Sequence, residues 1–146
     1  MTGYEMLKLE NQLCYPLYAA AKDVVSRYKP LLDEIDLTYT QYIAMMVMWE
    51  HESVGVSQMG DLLRLDSGTL TPLLKRLESK GYIRRARSET DERAVILTLT
   101  EDGKNLAQKA SGVPQAIRSC LSLTDEEAVT LYRLLYKVLE KPDCIV

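Results

Sequence analysis

Apolar residues recur at helical spacing along most of this chain, and one short stripe of them lies in the middle. Four leucines stand at positions i, i+3, i+4 and i+7 of that stripe: Leu70, Leu73, Leu74 and Leu77. This spacing predicts an amphipathic helix with one buried face. Asp66 and Ser67 are residues typical of a helix N-cap, and Gly81 is typical of a helix end. The other face carries hydroxyls first and cations after them: Ser67, Thr69, Thr71, Lys75 and Arg76.

A shorter helix is predicted just before this one. Ser57 is placed to cap it, Met59, Leu62 and Leu63 form its buried side, and it ends at about Arg64. Two short helices joined by a tight turn are typical of a helix-turn-helix. A second helix that exposes short hydroxyls, N-terminal amides and cations suits the major groove of DNA. The polar face of an ordinary surface helix is the alternative interpretation.

The hydrophobic period changes from helical spacing to alternation after Gly81. Residues 82–87 and 94–99 are predicted as two strands, and the polar residues 88–93 form the turn between them. Residues 54–56 can add a third, minimal strand. A helix-turn-helix followed by a β-hairpin is a winged helix-turn-helix, which we place at about residues 54–99. The predicted fold is therefore mainly α with a small β-hairpin.

Long helices flank this central part. A first helix is predicted at about residues 9–28, bent by Pro16 and ended by Pro30, after an irregular start. A second, at about residues 39–50, begins at Thr38 and is almost entirely apolar, which predicts a place in the core.

Further helices are predicted after the wing, from about residue 101 to 141. A break is expected near residues 112–114, and Thr124 with Glu127 forms a capping box for the last helix. A winged helix needs only the middle of the chain, so these helices and the first must bury their stripes elsewhere. We expect a two-fold homodimer whose interface is formed by the helices at about residues 9–28 and 101–141. Such a dimer sets two recognition helices about 34 Å apart and matches palindromic double-stranded DNA.

The composition sets further limits on function. The chain has 146 residues, of which 47% are hydrophobic and 27% charged, as expected for a single soluble domain. It holds no apolar run that could span a bilayer and no N-terminal signal, so we expect a cytoplasmic protein with no membrane partner. Three widely spaced cysteines and one histidine argue against a zinc site or a disulfide framework. No cofactor is predicted.

The net charge of −3 is unevenly distributed. Between Arg64 and Arg93 there are eight cations and five anions, which gives this segment +3 and leaves −6 for the rest of the chain. A basic middle on an acidic body allows a protein with a pI near 5.3 to present a face that binds phosphate.

Five stretches of the sequence resemble the MarR family, and within it the repressors that sense organic hydroperoxides. They are NQLCYPLY at 11–18, YKPLL at 28–32, LTYTQY at 37–42, LDSGTLTPLLKR at 65–76 and DER at 91–93. The last is typical of the whole family, whereas a cysteine with both tyrosines is typical of the peroxide-sensing branch. The resemblance covers about residues 9–139.

This resemblance implies a homodimeric repressor that leaves its operator when a thiol near the start of the first helix is oxidised by an organic hydroperoxide. The sensor is then Cys14, and Tyr28 and Tyr39 of the partner subunit hydrogen-bond it. Asp91 positions Arg93 for the minor groove. The residues of the recognition helix that contact the major groove and the phosphates of DNA are then Ser67, Thr69, Thr71, Lys75 and Arg76.

Cys120 occupies about the position of a second cysteine that resolves the oxidised sensor in some members of the branch. This match is positional, so Cys120 as an inert helix residue, with Cys14 pairing instead with a small thiol, stays an alternative. Cys14 itself also has a simpler interpretation as a packing residue. Two other functions are open at this stage: a MarR-type repressor released by a small aromatic ligand, and a thiol peroxidase that uses Cys14 and Cys120.

Overall fold

Helices make up most of the structure, a computed structural model that describes residues 2–140. The helices are α1 (Gly3–Met6), α2 (Cys14–Asp33), α3 (Tyr39–His51), α4 (Val56–Leu63), α5 (Ser67–Ser79), α6 (Glu101–Ala110), α7 (Val113–Cys120) and α8 (Asp125–Leu139), with a 3-10 turn at Leu9–Asn11. The strands are β1 (Ser53–Gly55), β2 (Ile83–Arg87) and β3 (Val95–Leu99). None of the helices within 2–140 is both long and apolar enough to cross a bilayer.

The apolar helix α3 lies at the centre of the core, as its composition predicted. Ala44, Met45 and Met48 on α3 are fully buried, and α3 contacts α2, α4, α5 and α6. Thr38 caps the helix through a capping box with Gln41. The four leucines of the central stripe are all buried on α5, so the predicted amphipathic helix is confirmed.

The sheet is antiparallel, with β3 between β1 and β2. Val54 pairs with Leu97, and Arg85 pairs with Leu97 from the other side. Because β1 precedes α4 and β3 follows the wing turn, this pairing fastens the base of the hairpin to the start of the helix-turn-helix. The winged helix-turn-helix fold is confirmed.

The first long helix differs from the prediction at both ends. It begins at Cys14 rather than near residue 9, and it continues through Pro30 to Asp33. Pro16 is its third residue, where the backbone amide has no partner within the helix in any case, so this proline costs no hydrogen bond. Pro30 does remove one, but the helix that continues past it carries Leu32, which is almost fully buried.

The segment that precedes α2 was expected to be irregular, and it instead holds α1. This short helix begins at a capping box between Thr2 and Glu5.

Two further predictions were wrong around the short helix α4. The helix begins at Val56 with Gly55 as its N-cap, and Ser57 is its exposed second residue. Gly55 also ends β1, opposite Ile96, so the strand leads directly into the helix. Leu62, expected to be buried, is 51% exposed.

The helical region after the wing breaks where the sequence predicted. It separates into α6 and α7, and α8 begins at the capping box of Thr124 and Glu127. Contacts divide the chain into two compact units, one up to Pro114 and one from Gln115 onward.

Candidate nucleic-acid interface and thiol site

The N-terminus of α5 is fixed by a side-chain cap. Asp66 accepts hydrogen bonds from the backbone amide of Thr69 at 2.8 Å and from its hydroxyl at 3.2 Å. These hydrogen bonds lower the pKa of Asp66, so its carboxylate is charged at neutral pH. At the other end Gly81 has a φ of 80°, a left-handed conformation that glycine adopts without strain. The helix therefore begins and ends where the sequence predicted.

All five predicted DNA contacts on α5 lie on its exposed face, opposite the leucines: Ser67, Thr69, Thr71, Lys75 and Arg76. The structure thus brings them together on one surface of one helix. Thr69 also has a local role, because its hydroxyl donates to the capping carboxylate.

The wing turn is held by its own short side chains. The hydroxyl of Ser88 accepts from the amides of Thr90 and Asp91 at 3.2 and 3.3 Å. The carboxylate of Asp91 accepts from the backbone amide of Arg93 at 3.0 Å. Asp91 therefore fixes the main chain at Arg93 and leaves the guanidinium exposed. The predicted positioning of Arg93 by Asp91 would act through this backbone hydrogen bond rather than through an ion pair.

The wing tip and the recognition helix share a surface. Arg93 and Ser67 line the same cleft, between the start of β3 and the start of α5. No carboxylate within the described residues forms an ion pair with Arg93. The charge of Arg93 is therefore available to a ligand that binds the exposed face of α5.

The wing arginines do not form one uniformly solvated row. Arg85 is half-buried and donates to Glu78 of α5 through its backbone amide at 2.9 Å and through two guanidinium nitrogens at 3.1 Å each. These hydrogen bonds from Arg85 lower the pKa of Glu78. The pair ties the first strand of the wing to the recognition helix, whereas Arg84 and Arg87 remain exposed. The sequence held a signal for this ion pair, because Glu78 is the single acidic residue of α5.

Glu78→Gln is expected to lower the ratio of specific to non-specific DNA affinity by about threefold or more. The amide removes the charge that holds Arg85, so the wing loses its fixed angle to α5 while Arg85 becomes free to bind any phosphate. Titration of a promoter fragment that the wild type binds, and of a duplex with the scrambled sequence, measures the two affinities by fluorescence anisotropy.

The matched control is Glu89→Gln, which removes the same charge from the exposed wing turn. We expect it to strengthen binding to both duplexes equally. A Glu78→Gln protein whose ratio equals that of the Glu89→Gln protein would show that the pair does not orient the wing.

Cys14 is the first residue of α2 and is exposed. Tyr28 lies 14 positions later on the same helix, which corresponds to about 21 Å along the axis. Tyr39 stands next to Tyr28, with ring centroids 4.9 Å apart. Within one chain, both predicted hydroxyl partners of Cys14 are therefore out of its reach.

A third tyrosine, missed by the sequence analysis, completes this cluster. The buried Tyr42 lies 5.8 Å from Tyr28 and 6.2 Å from Trp49, measured between ring centroids. Burial raises the pKa of Tyr28 and of Tyr39, so both phenols stay protonated and able to donate at neutral pH. The i, i+3 spacing of Tyr39 and Tyr42 on α3 was the signal that could have revealed it.

Cys120 is the last residue of α7 and is exposed. Cys144, to which we assign no role, lies outside the described residues. No cluster of histidine, cysteine and carboxylate side chains suited to a metal ion occurs within residues 2–140.

Comparison with known proteins now identifies the family. The family described as "Transcriptional regulator SarA/Rot" matches residues 26–110. The organic hydroperoxide resistance transcriptional regulator of Bacillus subtilis is 49% identical over 137 residues, which cover 94% of this chain and 93% of that protein. This chain belongs to the MarR-like family of winged-helix transcriptional regulators. It is a DNA-binding regulator and not an enzyme, so the thiol-peroxidase interpretation was wrong.

Solved structures agree with this assignment. Reduced AbfR bound to DNA is 35% identical to this regulator, with a TM-score of 0.74 and coverage of 94% of this chain and 96% of that one. AbfR, a protein of Staphylococcus epidermidis, is also known with a disulfide formed, at 35% identity, a TM-score of 0.64 and the same coverage. The reduced form of MarR from E. coli is 27% identical, with a TM-score of 0.73 and coverage of 88% and 96%.

Proposed function

We propose that this regulator is a homodimeric repressor that binds a palindromic operator while Cys14 is reduced and releases it when an organic hydroperoxide oxidises Cys14. The observation that carries the proposal is the placement of Cys14. The thiol begins an α2 helix that exposes its apolar side chains, about 21 Å along that helix from Tyr28. Tyr28 and Tyr39 can therefore reach this thiol only from a second copy of the chain.

The exposed stripes of α2 and α8 support the dimer. Leu32 is the one buried residue of α2, and α8 has none. Leu13 is 85% exposed and Val138 is 63% exposed, although both belong to apolar stripes. Surface of this kind is stable in water when a partner covers it. We assign dimerisation to about residues 9–28 and 101–141, and DNA binding to the winged helix at about 54–99.

The chemistry at Cys14 follows from the thiolate. Its sulfur attacks the terminal oxygen of the hydroperoxide, the O–O bond breaks, and the sulfur keeps the OH group as a sulfenic acid, while the leaving alkoxide takes a proton from water and departs as the alcohol. A second thiol then condenses with the sulfenic acid to form a disulfide and water. The neutral phenols of Tyr28 and Tyr39 from the partner donate hydrogen bonds to the reduced sulfur. They lose these hydrogen bonds when the sulfur is oxidised. A hydroperoxide-linked relative in Bacillus subtilis and an AbfR structure with a disulfide formed support the choice of oxidant and of a disulfide product.

DNA recognition is assigned to the face that α5 and the wing share. Ser67, Thr69 and Thr71 present short side chains to base edges and phosphates, and Lys75 and Arg76 neutralise phosphates further along the helix. The exposed Arg93 at the wing tip enters the minor groove, with its main chain fixed by Asp91.

An electrophoretic mobility shift with a promoter fragment tests the proposal. The reduced protein is expected to bind, cumene hydroperoxide to release the fragment, and dithiothreitol to restore binding. Release by a phenolic compound with no response to the hydroperoxide would overturn the redox function. It would support instead the MarR-type repressor released by a small aromatic ligand.

Cys120→Ser decides which thiol resolves the oxidised sensor. If Cys120 of one subunit condenses with Cys14 of the other, hydroperoxide produces a covalent dimer on a non-reducing gel, and the substitution removes that band. Cys144→Ser is the matched control and is expected to keep it. A covalent dimer that persists in Cys120→Ser would exclude Cys120, and a monomer of increased mass in the wild type would identify a mixed disulfide with a small thiol.

A further inference from the structure

The ammonium group of Lys80 joins the recognition helix to the segment that connects α2 with α3. Lys80 is the C-cap residue of α5. Its Nζ donates to the backbone carbonyl oxygen of Asp36, lies 3.1 Å from the Asp36 carboxylate and lies 3.4 Å from Oε1 of Gln41. Only 26% of the Lys80 side chain is exposed. This lysine is therefore directed into the protein, unlike the exposed Lys75 and Arg76 of the same helix.

One of the acceptors of Lys80, Gln41, belongs to the capping box that starts α3, and the other, Asp36, lies in the turn that leads into this helix. Asp36 has a φ of 52°, a left-handed conformation at the turn between the two helices. Gln41 is buried, and its Oε1 also accepts from the backbone amide of Thr38 at 3.1 Å. In return, the Thr38 hydroxyl accepts from the backbone amide of Gln41 at 3.3 Å. A movement of the first turn of α3 therefore moves Gln41, the buried acceptor of Lys80.

That same first turn carries a predicted contact of the sensor. Tyr39 is the first residue of α3, between Thr38 and the rest of the helix, and its ring packs on Tyr28. The leucines of α5 also pack in the core, but apolar contacts have no fixed direction and permit small displacements. The Lys80 ammonium makes two hydrogen bonds and one ion pair here, and hydrogen bonds constrain both distance and direction.

We propose that Lys80 is the positioning residue through which the tyrosine cluster controls the recognition helix. A shift of Tyr39 on oxidation of Cys14 displaces the Asp36 and Gln41 acceptors, and Lys80 carries that displacement to the C-terminal end of α5. This inference rests on the proposed redox function. It adds to that function a residue that touches neither the thiol nor the polar face of α5.

The test is the ratio of operator dissociation constants between hydroperoxide-treated and reduced protein. Lys80→Met keeps the length of the side chain and removes its donors. We expect the ratio to fall at least tenfold relative to wild type, because the oxidised Lys80→Met protein still binds the operator tightly. The rate of Cys14 oxidation, followed by mass spectrometry, is expected to stay unchanged, and Lys80→Arg is expected to restore most of the ratio.

Lys75→Met is the matched control, with the same substitution on the exposed face of α5. It is expected to weaken DNA binding of both redox forms by the same factor and to leave the ratio unchanged. A wild-type ratio close to one contradicts the proposed function itself. A large wild-type ratio that Lys80→Met preserves overturns the role of Lys80 alone.

Asp36→Asn gives a second test if Lys80→Met does not fold. The Asp36 side chain is 87% exposed, and asparagine tolerates the left-handed backbone. This substitution removes the carboxylate and keeps the carbonyl acceptor, so we expect a smaller fall of the ratio in the same direction. If Lys80→Met does not fold, an Asp36→Asn protein whose ratio of dissociation constants equals that of the wild type rejects the proposal.

Discussion

Cys14→Ser is expected to bind the operator as tightly as the reduced wild type and to remain bound in the presence of organic hydroperoxide. Serine keeps a small polar group that accepts hydrogen bonds from the partner's phenols, so the DNA-binding arrangement of the dimer persists. It has no sulfur to oxidise. A response of about 100-fold in affinity, which corresponds to about 2.7 kcal/mol, should therefore disappear. Fluorescence anisotropy on an operator duplex before and after treatment measures the loss.

The control for this prediction separates the sensor from the other thiols. A Cys120→Ser, Cys144→Ser double variant keeps Cys14, and its first oxidation step should still occur, as judged by trapping of the sulfenic acid with dimedone. Cys14→Ser should give no dimedone adduct at this position. Release of Cys14→Ser from DNA by hydroperoxide would place the switch on another residue and would contradict the proposed function.

Local patterns predicted the DNA-binding part of the chain well. The four leucines of α5, its Asp66 cap and the left-handed Gly81 are all encoded within about fifteen consecutive residues. The capping boxes at Thr38 and Thr124 are just as local. Because helix caps and amphipathic periods depend on neighbours three or four positions away, sequence alone is enough to place them.

Contacts between distant segments were not predicted, and they give the site its geometry. Nothing near Lys80 in the sequence indicates that its ammonium reaches Asp36, 44 positions earlier. The Glu78–Arg85 pair spans a helix end and a change of period. The passage of α2 through Pro30 likewise depends on tertiary burial of Leu32, which outweighs a local preference for ending the helix.

These distant contacts also revise the picture of the basic segment. Its formal charge of +3 predicted a face that binds phosphate, but Arg85 and Lys80 form ion pairs with carboxylates of the protein itself. The other six cations are exposed: Arg64 at the end of α4, Lys75 and Arg76 on α5, and Arg84, Arg87 and Arg93 on the wing. Two of the eight cations are therefore paired within the protein, which leaves six for the proposed contact with DNA.

Arg93→Ala is expected to weaken operator binding by roughly 100-fold. An arginine in a narrow minor groove contributes about 1–3 kcal/mol, and a two-fold dimer loses one from each wing. Asp91 holds the backbone amide of Arg93 at 3.0 Å, so little main-chain entropy is lost when the side chain binds. Titration by fluorescence anisotropy at several salt concentrations measures both the affinity and its salt dependence.

Arg84→Ala is the matched control, because it removes the same charge from an exposed position on β2. Its effect should be a few-fold and should vanish at high salt, as expected for a cation that binds phosphate without reading a groove. The Arg93→Ala defect should persist at high salt, while Cys14 in that protein still forms its dimedone adduct at the wild-type rate. Equal losses for the two variants at every salt concentration would mean that Arg93 contributes charge only, and that the wing turn held by Asp91 serves no purpose in groove recognition.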